Sequence, residues 1–162
     1  DYKGIDILIE AWPKVRSCVP GATLHIVGRG HLDEYAEYPG VELLGYVESL
    51  PQTLAKASLY VQPSRGDTYP VTVLEALRAG LPAVVTTSTG NRSTVREFAP
   101  EMVCDPTPSS LASAITTYLT TTQAHREELS TVAAQRGKEY DAEKRKSAFR
   151  SEFKRLVADM SE

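Results

Sequence analysis

Gln62-Pro63-Ser64-Arg65-Gly66-Asp67-Thr68-Tyr69-Pro70 runs directly into Val71-Thr72-Val73-Leu74-Glu75-Ala76-Leu77-Arg78-Ala79-Gly80-Leu81-Pro82, and this stretch decides the fold. Turn-forming residues from Pro63 to Tyr69 predict a loop, and the apolar run Val71 to Ala79 predicts a helix that Gly80 and Pro82 stop. Short apolar strands flank the pair, Leu59 to Val61 before it and Ala83 to Thr86 after it. Strand, loop, helix and strand in that order form a crossover unit, which joins parallel strands.

The same alternation continues outward. Ile5, Leu8, Ile9, Trp12, Val15 and Val19 recur at helical spacing, so a helix is expected over residues 5 to 19, with Pro13 inside it and Pro20-Gly21 ending it. Thr23 to Val27 reads as a strand running into Gly28-Arg29-Gly30, and Val41 to Leu44 as another. Ser49 is expected to cap a helix over Leu50 to Ala57. Thr89-Gly90-Asn91 reads as a turn, Ser93 to Phe98 as a short helix and Met102 to Cys104 as a last strand. After Pro108 the pattern is helical to the end, with Leu111, Ala114, Ile115 and Leu119 on one face, then charged helices near 124 to 139 and 142 to 158 that are expected to cover the sheet. No repeat or linker divides the chain, so residues 1–162 read as one α/β domain with a parallel sheet and a helical C-terminal tail.

Composition narrows the function classes. With 41% hydrophobic and 24% charged residues over 162 positions, usage is that of an ordinary globular domain. A net charge of −3 supplies no broad positive field, so nucleic acid is not an expected partner and any anion site must be local. Cys18 and Cys104 have no CxxC spacing and lie beside valines, which predicts buried reduced thiols. His25, His31 and His125 show no metal-ligand spacing. No apolar run approaches the roughly 18 residues that a spanning helix needs, which sets a cytoplasmic expectation. The chain opens at Asp1 without methionine, on the edge of a helical pattern, and is expected to be a piece of something longer.

Within the deciding stretch, Glu75 lies in a nearly all-apolar helix and is expected to be half-buried, where a carboxylate needs donors such as a ribose diol. Its plainer reading is an ion pair with Arg78 at i,i+3. Asp67 reads either as a turn residue or as a sugar ligand. The first amides of the helix, from Val71 and Thr72 because Pro70 has none, suit a diphosphate. Gly28 and Gly30 after a strand let backbone approach a ligand, and Lys3, before Gly4 at a helix start, offers a point charge to a phosphate.

In chain order, Lys3-Gly4-Ile5-Asp6, Leu8-Ile9-Glu10-Ala11, Leu24 to Gly30, Val41 to Val47, and Pro63-Ser64 through Glu75-Ala76 to Ala79-Gly80-Leu81-Pro82 resemble the C-terminal domain of the retaining GT-B glycosyltransferases of the large family 4 group. The likeness covers about residues 3 to 120, and its most specific piece is an acidic-x7-Glu motif followed by an Ala-x-Gly-x-Pro helix stop. The resemblance implies a Rossmann-like parallel sheet with helices on both faces, and a donor substrate that is a UDP- or GDP-linked sugar, with no metal or other cofactor. It implies that Glu75 holds the donor ribose, Asp67 the sugar hydroxyls and Lys3 the diphosphate. Gly28, Arg29 and Gly30 would line the cleft, with Gly45, Tyr46 and Val47 near the base and Thr68, Tyr69, Pro70, Val71 and Thr72 completing the donor site.

Three positions depart from the family pattern: Asp67 where Glu is commoner, Pro70 where Gly is usual, and Thr89-Gly90 where Gly-Gly is common. The resemblance also implies parts upstream of Asp1: a first strand, an arginine paired with the lysine, and an N-terminal acceptor domain as the partner that any membrane contact would pass through. The piece alone is then expected to bind donor weakly and transfer nothing. Because fold does not fix function, an epimerase or phosphorylase of the same architecture, or a flavodoxin-like binding module, stands as the alternative.

Overall fold

The computed structural model describes residues 2–30, 32–140 and 142–159; Asp1 and His31, both used in the sequence reading, lie outside the described residues. Helix α1 (Ile5–Cys18) buries Ile7, Leu8, Ile9, Ala11, Trp12 and Val15 along one stripe, and runs through Pro13, whose ring faces solvent. Strand β1 (Leu24–Val27) pairs in parallel with β2 (Val41–Gly45). Helix α2 (Leu50–Leu54) follows, and there Ser49 stands at the expected cap position without using its hydroxyl; its carbonyl accepts from the Thr53 amide instead.

Strands β3 (Tyr60–Gln62), β4 (Ala83–Thr86) and β5 (Val103–Cys104) form a second parallel ladder in that spatial order. Between them run α3 (Val71–Arg78) and α4 (Arg92–Arg96), and after them α5 (Pro108–Thr120), α6 (Gln123–Glu139) and α7 (Ala142–Asp159). The expected single sheet is therefore two ladders among the described residues, with the break between β1 and β3. What joins them is side-chain packing: Ile26 and Val41 belong to the same apolar cluster as Val84 and Val85, filled in by α1 and α5.

Every residue of β4 is buried, so both its faces are covered. α5 packs with α1 and against β4, while α3 packs against β3 and β4 and is itself backed by α6. At Gly137 a side chain would overlap the Arg78 backbone, which is how closely α6 lies on α3. α7 does not cover the sheet as expected: Phe149 (70%) and Phe153 (56%) are exposed and stack on each other. Cys18 is exposed as well, because it lies in the last turn of α1 beyond the buried stripe that ends at Val15, whereas Cys104 is half-buried and burial pushes its thiol up to about 11. Among the described residues no helix is long and apolar enough to cross a membrane.

Candidate functional site

In a parallel ladder the loops at the C-terminal strand ends share one edge, and Asp67, Thr68, Tyr69 and Pro70 fall there. After β3 the chain runs from Pro63 to Pro70, and after β4 from Thr87 to Asn91. These two loops are locked together. The Asp67 amide donates to the Ser88 carbonyl (3.2 Å), the Gly90 amide donates to the Asp67 carbonyl (2.8 Å), and Asp67 and Thr89 form a parallel bridge. A Cβ on Gly90 would overlap the Thr68 carbonyl, so only glycine permits this approach.

The start of α1 is pinned to the same loop. Gly4 takes a left-handed conformation (φ 71°), and a Cβ there would overlap the Pro63 carbonyl oxygen. The Arg65 amide donates to the Tyr2 carbonyl (2.8 Å), and the Arg65 guanidinium grips Asp6 with two bonds of 2.6 and 2.7 Å. That grip holds the Asp6 carboxyl below the usual carboxylate range. The outcome is that Lys3 reaches Asp67, Nζ to Oδ2 at 2.8 Å. The Asp67 carboxylate, hydrogen-bonded to it, holds the Lys3 ammonium above the ordinary lysine range, and the Tyr2 ring lies 5.1 Å from the same nitrogen. Asp67 is 13% exposed and Lys3 47%, so the carboxylate is the fixed partner and the ammonium the reachable one.

Beneath the loop lies a polar network. The Tyr60 hydroxyl is 2.6 Å from Gln62 Oε1 and 2.8 Å from the Thr72 hydroxyl, and Gln62 Nε2 donates to Ser64 Oγ (2.7 Å). The Thr86 hydroxyl donates to the Ser64 carbonyl and meets Thr89 Oγ1 at 3.1 Å. Burial pushes the Tyr60 phenol up to about 12. Asn91, 2% exposed, donates from Nδ2 to the Pro70 carbonyl at the start of α3 (3.0 Å), while its Oδ1 is buried without a partner among the described residues. The Val71 and Thr72 amides, the first of α3, are thus presented at the helix's positive end by a fixed Pro70.

Glu75 is exposed, not half-buried. The helix looks apolar throughout, but it buries only Val73, Ala76 and Leu77, and Glu75 shares the outer face with Val71 one turn earlier. No ion pair holds its carboxylate among the described residues, so the expected partnership with Arg78 does not form.

The β1–β2 ladder carries a looser set of the sequence-predicted residues. The Gly28 amide donates to the Gly45 carbonyl (2.8 Å), joining the two strand ends. Gly30 and Gly45 have positive φ (80° and 62°), and a Cβ on either would meet open space. The Arg29 guanidinium lies 5.1 Å from the centre of the Tyr46 ring; Tyr46 is 68% exposed, and Val47 is half-buried.

Residues 1–121 match the model of the family described as glycosyl transferases group 1. The chain belongs to that family. An exopolysaccharide phosphotransferase of Streptomyces coelicolor is 35% identical over 91 residues, 51% of this chain and 10% of that protein. A phosphatidyl-myo-inositol mannosyltransferase of Mycobacterium leprae is 29% identical over 103 residues, 59% of this chain and 28% of that protein. Among solved structures, the pneumococcal O-GlcNAc transferase GtfA in complex with UDP and GlcNAc superposes with a TM-score of 0.79 at 18% identity, over 96% of this chain and 34% of that one. Anabaena Alr3699/HepE in complex with UDP and glucose gives 0.75 at 22% identity, over 98% and 45%. The chain thus spans less than a third of each of these two relatives and less than half of each of these two structures.

In this group 1 glycosyl transferase domain the fold brings three pairs of sequence-predicted residues together: Lys3 with Asp67, Gly28 with Gly45, and Arg29 with Tyr46. Thr68, Tyr69 and Val71 are exposed, with Pro70 buried and the Thr72 hydroxyl turned inward to Tyr60. Tyr2, Asp6, Arg65, Gln62 and Asn91 were missed as supports. Asp6 and Arg65 are 59 positions apart, and no spacing rule connects them.

Proposed function

We propose that this domain binds a nucleoside diphosphate sugar, UDP- or GDP-linked, for retaining hexosyl transfer to an acceptor held by an N-terminal domain of the same protein, in the cytoplasm. The observation that carries the reading is Lys3 fixed against Asp67 in the clamped loop that leads into the start of α3. A diphosphate seated there meets an ammonium, two helix amides and the positive end of the α3 dipole without a metal. Those groups oppose the charge that develops on the leaving diphosphate. Asp67 is the acceptor for sugar hydroxyls, and Glu75, with both oxygens open, for a ribose diol. Gly28 to Gly30 admit the backbone of the cleft wall to the ligand, and Gly45 to Val47 border the base. The family match, and fold neighbours whose complexes contain UDP, support this assignment.

Calorimetric titration with UDP, GDP, ADP and UDP-glucose tests it. Saturable binding of at least one, weakened about fivefold or more by Lys3→Ala and by Glu75→Ala, is expected from the loss of a charge-assisted contact. Binding that neither substitution changes would move the site elsewhere. The chain alone is expected to show no transfer, because the acceptor wall belongs to the N-terminal domain.

A further inference from the structure

The Lys3–Asp67 contact has two consequences for a donor, and they oppose each other. Asp67 is held in place by its own amide and carbonyl, both bonded to the 87–91 loop, so its carboxylate cannot withdraw by moving the chain. Lys3 is held as firmly at its backbone, through Tyr2 to Arg65 and through Gly4 against Pro63, but its side chain is half exposed. A diphosphate taking the Lys3 ammonium therefore brings its negative charge beside a nearly buried carboxylate that already occupies one of the three N–H donors. Like charges at this range disfavour each other.

We infer that Asp67 is an internal competitor for the donor's diphosphate, and that it thereby sets the preference between the intact nucleotide sugar and the nucleoside diphosphate left after transfer. The inference rests on the donor-site reading above. With the sugar attached, hydroxyl groups donate to Asp67 and replace the bond it loses from Lys3. With the sugar gone, nothing replaces that bond, and the carboxylate both repels the diphosphate and draws Lys3 back. Asp67 thus favours release of the spent nucleotide. The geometry also gives the shorter Asp a purpose, since at 2.8 Å it already meets the ammonium directly.

The test compares the wild-type chain with Asp67→Asn, which keeps the size of the side chain and removes the charge, by calorimetry with UDP, UDP-glucose and inorganic pyrophosphate, repeated with the GDP pair. Asp67→Asn is expected to bind the nucleoside diphosphate and pyrophosphate about three- to tenfold more tightly, as removal of one close like charge implies, and the nucleotide sugar no more tightly. In a Lys3→Met background the tightening is expected to shrink to what direct repulsion contributes, which separates competition for the ammonium from a general change of charge. Unchanged or weaker nucleoside diphosphate binding in Asp67→Asn, with folding confirmed by circular dichroism, overturns the competition while leaving the donor site standing. Absence of nucleotide binding to either form, with pyrophosphate also inert, removes the donor reading and this inference together.

Discussion

The two sets of strand ends, those of the β3–β4 ladder and those of the β1–β2 ladder, are built in opposite ways. Around Pro63 to Asn91 the backbone is bonded to itself across two loops, glycine is required by close approach at Gly90 and Gly4, and Asn91 and the Tyr60–Gln62–Ser64 network fix what lies beneath. Around Gly28 to Gly30 and Gly45 to Val47, the Gly28 amide bond to the Gly45 carbonyl joins the turns, Gly30 and Gly45 face open space, and the Arg29–Tyr46 stack stands in solvent. The clamped half is suited to hold charge that must be opposed in one geometry. The open half is suited to a flat group that needs only a surface and backbone.

The sharpest break in that contrast comes from putting a methyl group on each half. Gly90→Ala forces Thr68 and its loop apart and is expected to destabilise the fold by about 3 kcal/mol or more in urea unfolding, at the top of the usual cost of overpacking because the clash is with backbone. Gly30→Ala meets no atom and bears only left-handed strain, about 1 to 2 kcal/mol. Equal losses would mean the halves are alike. A smaller effect is expected from Asn91→Ala, about 1 to 2 kcal/mol for the lost bond to Pro70, whereas Tyr46→Ala should stay within about 0.5 kcal/mol while altering base preference.

Alkali sharpens the comparison further. The fold holds the Tyr60 phenol at about 12, above the roughly 10 of a free tyrosine, so its contribution is fully present below pH 10 and is lost as pH rises toward 12. Stability of the wild type is therefore expected to fall over that window relative to Tyr60→Phe, followed by the urea midpoint at each pH. At the acid end the sign reverses. Asp6 is held low by Arg65, so the advantage of the wild type over Arg65→Ala is present above the unfolded carboxylate range and shrinks as pH falls through the folded value. The smallest effect is chemical: a thiol reagent should modify Cys18 well before Cys104, whose thiol burial raises.

Elements with strong periodicity were legible before any coordinates. α1, α3 and β4 fall within a residue or so of the expected bounds, because apolar spacing and the Gly80 and Pro20-Gly21 stops act locally. The family resemblance placed Lys3 and Asp67 in one site across 64 positions, which spacing alone could not do. Faces were harder. α3 reads as apolar all round, yet α6 and the sheet cover only part of it, and which part depends on packing from a helix that begins only at Gln123. That is why Glu75 was expected to be half-buried. Cys18 failed for a related reason, since apolar neighbours do not reveal where a helix leaves the core. The supports at Asp6, Arg65 and Asn91 are contacts of tertiary structure and carry no local signature.

The most direct test of the central claim, that the clamped and open halves face one donor, is an amide NMR titration of the chain with UDP and with GDP. The account predicts that whichever nucleotide binds shifts the Val71 and Thr72 amides together with those of Gly28 to Gly30 and Gly45 to Val47, in one saturable event. Shifts confined to one half, or lying instead along α5 and α6, would contradict it.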